Sequence, residues 1–133
     1  MKPFGQQKRR PAPCPKSPNC VSTNAQDSSQ AMPPLRYRFS EEQLRLHLRS
    51  IIDAYGRSSV VHEEQFYFRA EFRSAWLGFI DDVEFFLDPD SKTLHFRSAS
   101  RKGYWDLGAN RQRMEIITRR LVDIVGIEVL PSS

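Results

Sequence analysis

A chain of 133 residues with 39% apolar and 27% charged residues has the size and composition of one soluble globular domain. It has no apolar run near the roughly 20 residues of a membrane-spanning helix. No apolar segment follows its basic first ten residues, so with Met1 as the natural start there is no secretion signal and we expect a cytoplasmic protein. The net charge of +4 comes from residues 1–34, because residues 35–133 carry fifteen basic and fifteen acidic side chains. A domain with balanced charge lacks the basic surface that binds phosphate backbones, so specific nucleic-acid binding is not expected.

Residues 1–34 contain most of the prolines and show no helical or strand period. We interpret them as a basic tail or an extended strap, and residues 35–133 as a single α+β domain. Cys14 and Cys20 lie in this first segment, separated by five residues of which two are proline. A disulfide between them is geometrically reasonable and would form in an oxidising compartment, whereas in the cytosol both would stay thiols. The sequence leaves the two states open.

The first predicted element is a helix that begins after Ser40. Ser40 and Gln43 have the spacing of a capping box. Gly56 is a typical residue just beyond a helix C-terminus. The apolar residues between them follow helical spacing and would form one buried face: Leu44, Leu48, Ile51, Ile52 and Tyr55.

Four strands are predicted next, at 58–63, 66–74, 80–87 and 92–100, because apolar and polar residues alternate along them. Residues 88–91 read Asp-Pro-Asp-Ser, which is typical of a type I turn, so the last two strands form an antiparallel hairpin.

A second helix is predicted from an N-cap at Asn110 to Gly126, followed by a short strand at 127–130. Its apolar stripe would consist of Met114, Ile117, Leu121 and Val125. The predicted fold is therefore α+β: an antiparallel four-stranded meander with two helices on one face and an extended N-terminal strap. Neither a parallel βαβ pattern nor a glycine-rich phosphate loop is present.

The strand alternation places charged side chains together on the sheet face opposite the helices. Neighbouring strands on one face bring opposite charges about 5 Å apart, so these side chains can form a lattice of ion pairs. Such a lattice is more often structural than a ligand site. The connection after the last strand, residues 101–111, is polar and leads into a helix N-terminus, so Arg101 and Arg111 could form an anion-binding corner there.

The candidate ligand-binding residues from this face and connection are Arg69, Glu71, Arg73, Asp82, Glu84, Arg97, Arg101, Tyr104, Asp106, Asn110 and Arg111. Each has a simpler structural role available. Tyr104 can anchor the connection to the core, and Asn110 can cap the helix.

No metal site or cofactor is predicted. The three histidines fall on different elements without the spacing of a metal cluster, and two cysteines cannot form a four-ligand zinc site. Asp81 and Asp82 are adjacent on a strand and point to opposite faces. Glu71 and Glu84 could act as a catalytic acid and base, but the surrounding arginines would keep both ionised, so no catalytic residue is assigned.

Three ordered motifs, covering nearly the whole chain from about Cys14 to the last helix, resemble the signature of domain-of-unknown-function family 1499. They are Cys14-Pro-Lys-Ser-Pro-Asn-Cys-Val-Ser22, Asp81-Asp-Val-Glu-Phe85, and Arg97-Ser-Ala-Ser-Arg101 with Gly103, Asp106, Gly108, Asn110 and Arg111. The resemblance implies a bacterial or photosynthetic origin, relatives that are often exported or lipid-anchored, and a Cys14/Cys20 segment that belongs to the domain as a strap. It implies no activity.

Three hypotheses of function remain. The first is a non-catalytic binding or accessory domain that engages an anionic small molecule, a lipid headgroup or a partner protein through the charged face and residues 101–111. The second is a small hydrolase or isomerase that uses Glu71 or Glu84 with Arg97 and Arg101. The third is a purely structural ion-pair lattice that fixes the strap to the sheet. A concave pocket at these side chains would favour the first two.

Overall fold

The computed structural model describes residues 10–74, 78–103 and 106–131, which form two helices and seven strands. The helices are α1 (Glu41–Tyr55) and α2 (Ala109–Val122). The strands are β1 (Cys20–Ser22), β2 (Leu35–Tyr37), β3 (Ser58–Glu63), β4 (Tyr67–Arg73), β5 (Ile80–Asp88), β6 (Thr93–Ser100) and β7 (Ile127–Val129). Neither helix has the length and apolar character needed to cross a membrane.

All neighbouring strands pair antiparallel in one sheet, in the order β3-β4-β5-β6-β2-β7. The predicted meander forms the first four strands of this order, starting at the β3 edge, but the predicted number of four strands is too low. One edge of β6 pairs with β2 near its start and with β1 near its end. β7 matches the short strand predicted at 127–130, whereas β1 and β2 were not predicted, because three residues are too few to show an alternating pattern in a sequence. β1 lies inside the segment that was predicted to have no strand.

The two helices cover one face of the sheet, as predicted. Phe68, Phe85 and Phe96 occupy the middle of that face on β4, β5 and β6, and they are fully buried under Leu48 of α1 and Ile117 of α2. Burial of each such side chain contributes about 1.5–3 kcal/mol to folding. The strand parity read from the sequence is therefore correct, and it leaves the charged side chains on the opposite face.

The ends of α1 follow the prediction, whereas those of α2 do not. The Gln43 N–H donates to the Ser40 hydroxyl over 3.1 Å, and Gly56 ends α1 with a φ of +87°. The N-cap of α2 is Gly108 and not Asn110, which lies within the first turn. α2 also ends at Val122, so Val125 leaves the apolar stripe and is 95% exposed.

The strap is held against the sheet by covalent and hydrogen bonds. Cys14 and Cys20 form a disulfide with their Cα atoms 5.7 Å apart. The Gln30 amide Nε2 donates to the carbonyls of Pro15 and Ser17 over 2.8 and 2.6 Å. These contacts fold residues 14–30 back on themselves beside β6.

Removing the disulfide with the double substitution Cys14→Ser/Cys20→Ser should lower the free energy of unfolding by about 1–2 kcal/mol. The closed loop is short and already stiffened by proline, so the lost constraint on the unfolded chain is at the low end for disulfides. Urea denaturation of the variant and of reduced wild type should give the same decrease. A variant as stable as the oxidised protein would contradict a closed disulfide in solution.

Candidate functional site

The charged sheet face contains a compact lattice centred on Arg101. The Arg101 guanidinium donates to both oxygens of Asp82, from Nε over 2.8 Å and from Nη2 over 2.9 Å, and it also pairs with Glu71. Arg69 donates to the same Asp82 over 3.2 Å. The hydrogen bonds that Arg101 donates to Asp82, and next those to Glu71, raise the pKa of Arg101 above its ordinary value. Asp82 and Glu71 thus each form ion pairs with both Arg69 and Arg101.

A second cluster lies one step further along the same face, around Glu84. The Tyr67 hydroxyl donates to Glu84 over 2.7 Å, and the nearest Arg97 nitrogen is 3.8 Å from the other carboxylate oxygen. Burial raises the pKa of Tyr67 above its ordinary value, and its hydrogen bond to Glu84 raises it further. Tyr67 is therefore a fixed donor at neutral pH and not a candidate base.

A groove of about 280 Å³ opens where the sheet meets the end of α1. It is lined by Arg57, Ser58, Ser59, Glu71, Phe72, Arg73 and Ile80. Arg57 and Arg73 are tied together, because the Arg73 N–H donates to the Arg57 carbonyl over 2.8 Å. The fold thus places two exposed guanidinium groups at one groove.

Glu71 is the one carboxylate that lines this groove, and its charge is already matched by Arg101 and Arg69. Within residues 10–74, 78–103 and 106–131, no ion pair links Arg57 or Arg73 to a carboxylate. To the residues that the structure describes, the Arg73 side chain makes one long hydrogen bond, 3.3 Å, to the Gly78 carbonyl. The two arginines at the groove therefore carry positive charge that no carboxylate of the described residues pairs with.

Sequence reasoning identified Glu71 and Arg73 but missed Arg57 and Ser59. Arg57 follows the helix-ending glycine, and Ser59 pairs with Glu71 across β3 and β4. The sequence held a signal for both, because antiparallel pairing of the predicted strands 58–63 and 66–74 would have brought their ends together.

A buried polar network lies on the other side of the sheet, at the same end, around Asn110. The Asn110 amide Nδ2 donates to Asp106 over 2.8 Å, to Ser100 over 2.9 Å and to the Asn19 carbonyl over 3.1 Å. Its Oδ1 accepts from the Ser98 hydroxyl over 2.6 Å. One fully buried side chain thus joins the strap, β6 and α2.

The predicted anion-binding corner at the start of α2 is corrected by these contacts. The Asp106 carboxylate accepts from the N–H groups of Gly108 and Asn110 over 2.8 and 3.0 Å, so the helix N-terminus already faces an anion of its own chain. Arg111 points away from the charged face and donates to the carbonyls of Ser29 and Ala31. Tyr104, the remaining candidate in this connection, lies outside the described residues.

The same network includes an ion pair that the sequence analysis missed. Arg113 and Asp81 are 2.7 Å apart, and each side chain is only 7% exposed. The Arg113 guanidinium also donates to Asn110 Oδ1 over 3.0 Å and stacks over the Phe72 ring. The signal was available, because Asp81 and Ser98 stand at apolar positions of their strands and a buried polar group needs a partner.

Glu71 and Glu84, considered as a catalytic acid and base, lie in separate clusters. Glu71 and Glu84 belong to separate ion pairs, and Glu84 does not line the groove. Across the parts of the chain that the structure describes, no three His, Cys, Asp or Glu side chains are grouped so that they could hold a metal ion.

His95 is the one buried histidine among the described residues, on the polar side of β6. Its Nδ1 shares a hydrogen bond of 3.0 Å with the Thr23 hydroxyl. Burial, with a smaller contribution from Arg10, lowers the pKa of His95 to about 4.

Asn110→Ala should lower the free energy of unfolding by about 3 kcal/mol, because it leaves several buried donors and acceptors without partners. Asn24→Ala is the matched control. Its amide also donates to a strap carbonyl, that of Pro11, but the residue is exposed, so a loss below about 1 kcal/mol is expected. Equal decreases in the free energy of unfolding for the two variants, measured by urea denaturation, would show that burial of the network adds nothing to stability.

Stability should decrease as the pH falls from about 6.5 to about 4, by about 3 kcal/mol from His95. An unfolded histidine has a pKa near 6.5 and the folded His95 near 4, so in this window protons bind the unfolded chain more strongly. His95→Asn keeps a polar group near Thr23 and should flatten the decrease in thermal denaturation. His62→Asn, which changes an exposed histidine, should leave the decrease intact.

Comparison with known proteins agrees with the three motifs. A family model described as "Protein of unknown function (DUF1499)" matches residues 12–121, which include the disulfide, the charged face and the network around Asn110. Searches of curated proteins and of solved structures gave no significant match. A family model that spans this much of the chain identifies it as a member of the DUF1499 family, whose function is unknown.

Proposed function

We propose that this protein is a non-catalytic binding domain that holds a small anionic group, a phosphate or a carboxylate, between Arg57 and Arg73. The observation that carries the proposal is the pairing pattern at the groove. Its one carboxylate, Glu71, is matched by Arg101 and Arg69, whereas the two guanidinium groups at the rim have no carboxylate partner in the described residues.

The shape and lining of the groove support a small ligand. Its volume of about 280 Å³ is at the lower end for ligand pockets. Phe72 and Ile80 give it an apolar wall, and Ser59 adds a hydroxyl. Two guanidinium groups can each donate two parallel hydrogen bonds to a phosphate or carboxylate, which gives both strength and orientation.

The lattice on the charged face has a supporting role in this proposal. Arg101 and Arg69 hold Glu71 and Asp82, so these acids do not repel an anion at the groove. Arg97 and Glu84 form a separate pair further from it. Asp106, Asn110 and Arg111 make contacts that fix α2 and the strap, which favours a structural role for these three candidates.

The alternative of a hydrolase or isomerase is not favoured by this geometry. A general acid and base must reach one substrate, but Glu71 and Glu84 do not share a groove. Each is also engaged by an arginine, and Tyr67 beside Glu84 stays protonated.

Arg73→Ala should weaken binding of inorganic phosphate at least about tenfold, because it removes one of two charge-assisted contacts. Phosphate titrated into ¹⁵N-labelled protein, followed by NMR, gives both the affinity and the residues that respond. Shifts are expected at residues 57–59 and 71–73.

Arg120→Ala is the matched control, since Arg120 is an exposed arginine in the last turn of α2, at the opposite end of the molecule. It should bind phosphate like wild type. Equal weakening by both variants would indicate general charge attraction in place of a site. No shifts at the groove with phosphate or with acetate would overturn the proposal.

A further inference from the structure

Two large apolar side chains are exposed to water near the groove. Phe79, in the connection between β4 and β5, is 50% exposed, and Leu107, in the connection between β6 and α2, is 87% exposed. The two connections lie at the same end of the sheet, because the Arg101 N–H donates to the Ile80 carbonyl over 3.1 Å. The groove opens at this end as well.

Among the residues that the structure describes, no packing contact accounts for a leucine at position 107. Its φ is +55°, in the left-handed region where glycine and asparagine are favoured and a leucine is strained. Burial does not offset this backbone strain, since the Leu107 side chain is exposed to solvent. An exposed apolar side chain at a strained turn position points to a contact outside the domain.

The basic residues of this end complement the apolar ones. Arg57, Arg73 and Lys102 are all exposed here, and none of them is ion-paired in the portion of the chain that the structure describes. The one acid among the described residues of these connections is Asp106, and its carboxylate accepts from the N–H groups at the start of α2. The end of the sheet thus combines protruding apolar side chains with unmatched positive charge.

We propose that this end of the sheet docks onto a membrane surface that carries anionic lipid headgroups. Phe79 and Leu107 would enter the boundary between headgroups and acyl chains, and Lys102 would lie at the headgroup level. The inference rests on the proposed function, because it assigns the anion between Arg57 and Arg73 as the phosphate of a lipid. Binding of a soluble anion would not account for the exposed side chain of Leu107.

Co-sedimentation with vesicles tests this docking. Wild type should sediment with vesicles of about one third phosphatidylglycerol in phosphatidylcholine, and not with phosphatidylcholine alone, and added salt should weaken the association. The double substitution Phe79→Ser/Leu107→Ser should reduce binding to anionic vesicles at least about tenfold. Both residues are exposed, so the variant should keep the wild-type melting temperature.

Val125→Ser is the matched control. Val125 is 95% exposed and follows α2, at the opposite end of the molecule from Leu107, so vesicle binding should be unchanged. Arg73→Ala should lose both vesicle and phosphate binding. A wild-type level of vesicle binding by the Phe79/Leu107 variant, or an equal loss in Val125→Ser, would overturn the docking surface.

Titration of the same proteins with inorganic phosphate separates the two proposals. The Phe79/Leu107 variant should bind phosphate at the groove like wild type while failing to bind vesicles. Phosphate binding by wild type without any vesicle binding would refute the membrane surface and leave the groove as an anion site. Absence of both would refute the two proposals together.

Discussion

The structure depends most on the buried amide of Asn110. Its hydrogen bonds reach the strap at Asn19, the end of β6 at Ser98 and Ser100, and the turn before α2 at Asp106. A buried polar network is favourable only when nearly every member has a partner, and the same low dielectric that strengthens its bonds makes an unpaired member costly. The network is therefore stable in only one arrangement of the strap, β6 and α2, because displacing any of them would leave buried polar groups without partners. It fixes the end of the sheet at which the groove and the exposed connections lie.

The two sides of the sheet use charge differently at that end. On the helix side, Arg113 and Asp81 form one ion pair shielded from water. Removing either partner would strongly destabilise the fold, because the other charge would stay buried without a partner. On the open side, Arg69 and Arg101 share Asp82 and Glu71 in contact with solvent, where individual pairs contribute little to stability. The open lattice pairs the acids of that face with arginines and leaves Arg57 and Arg73 without a carboxylate partner in the described residues.

Local patterns were enough to predict α1, the strands β3 to β6 and their parity, because each depends on residues close in sequence. Asn110 illustrates the limit. Its residue type and position were read as a helix cap, but its role is set by Asn19, which is far away in the chain. β1 and β2 were missed for the same reason, since three residues become a strand only when β6 is beside them. The groove required the register between β3 and β4, and the sequence indicated the two strands without fixing that register.

The place of β1 in the sheet also affects how the chain reaches its native state. Ser22 pairs with Arg97, so the strand that covers the outer half of β6 is synthesised long before β6 itself. Until the two meet, the nascent β5–β6 hairpin presents an uncovered row of backbone donors and acceptors, which is a template for pairing with another chain. The strap is therefore already present when β6 emerges, and in the native sheet β1 covers this part of the β6 edge while the disulfide keeps the strap compact.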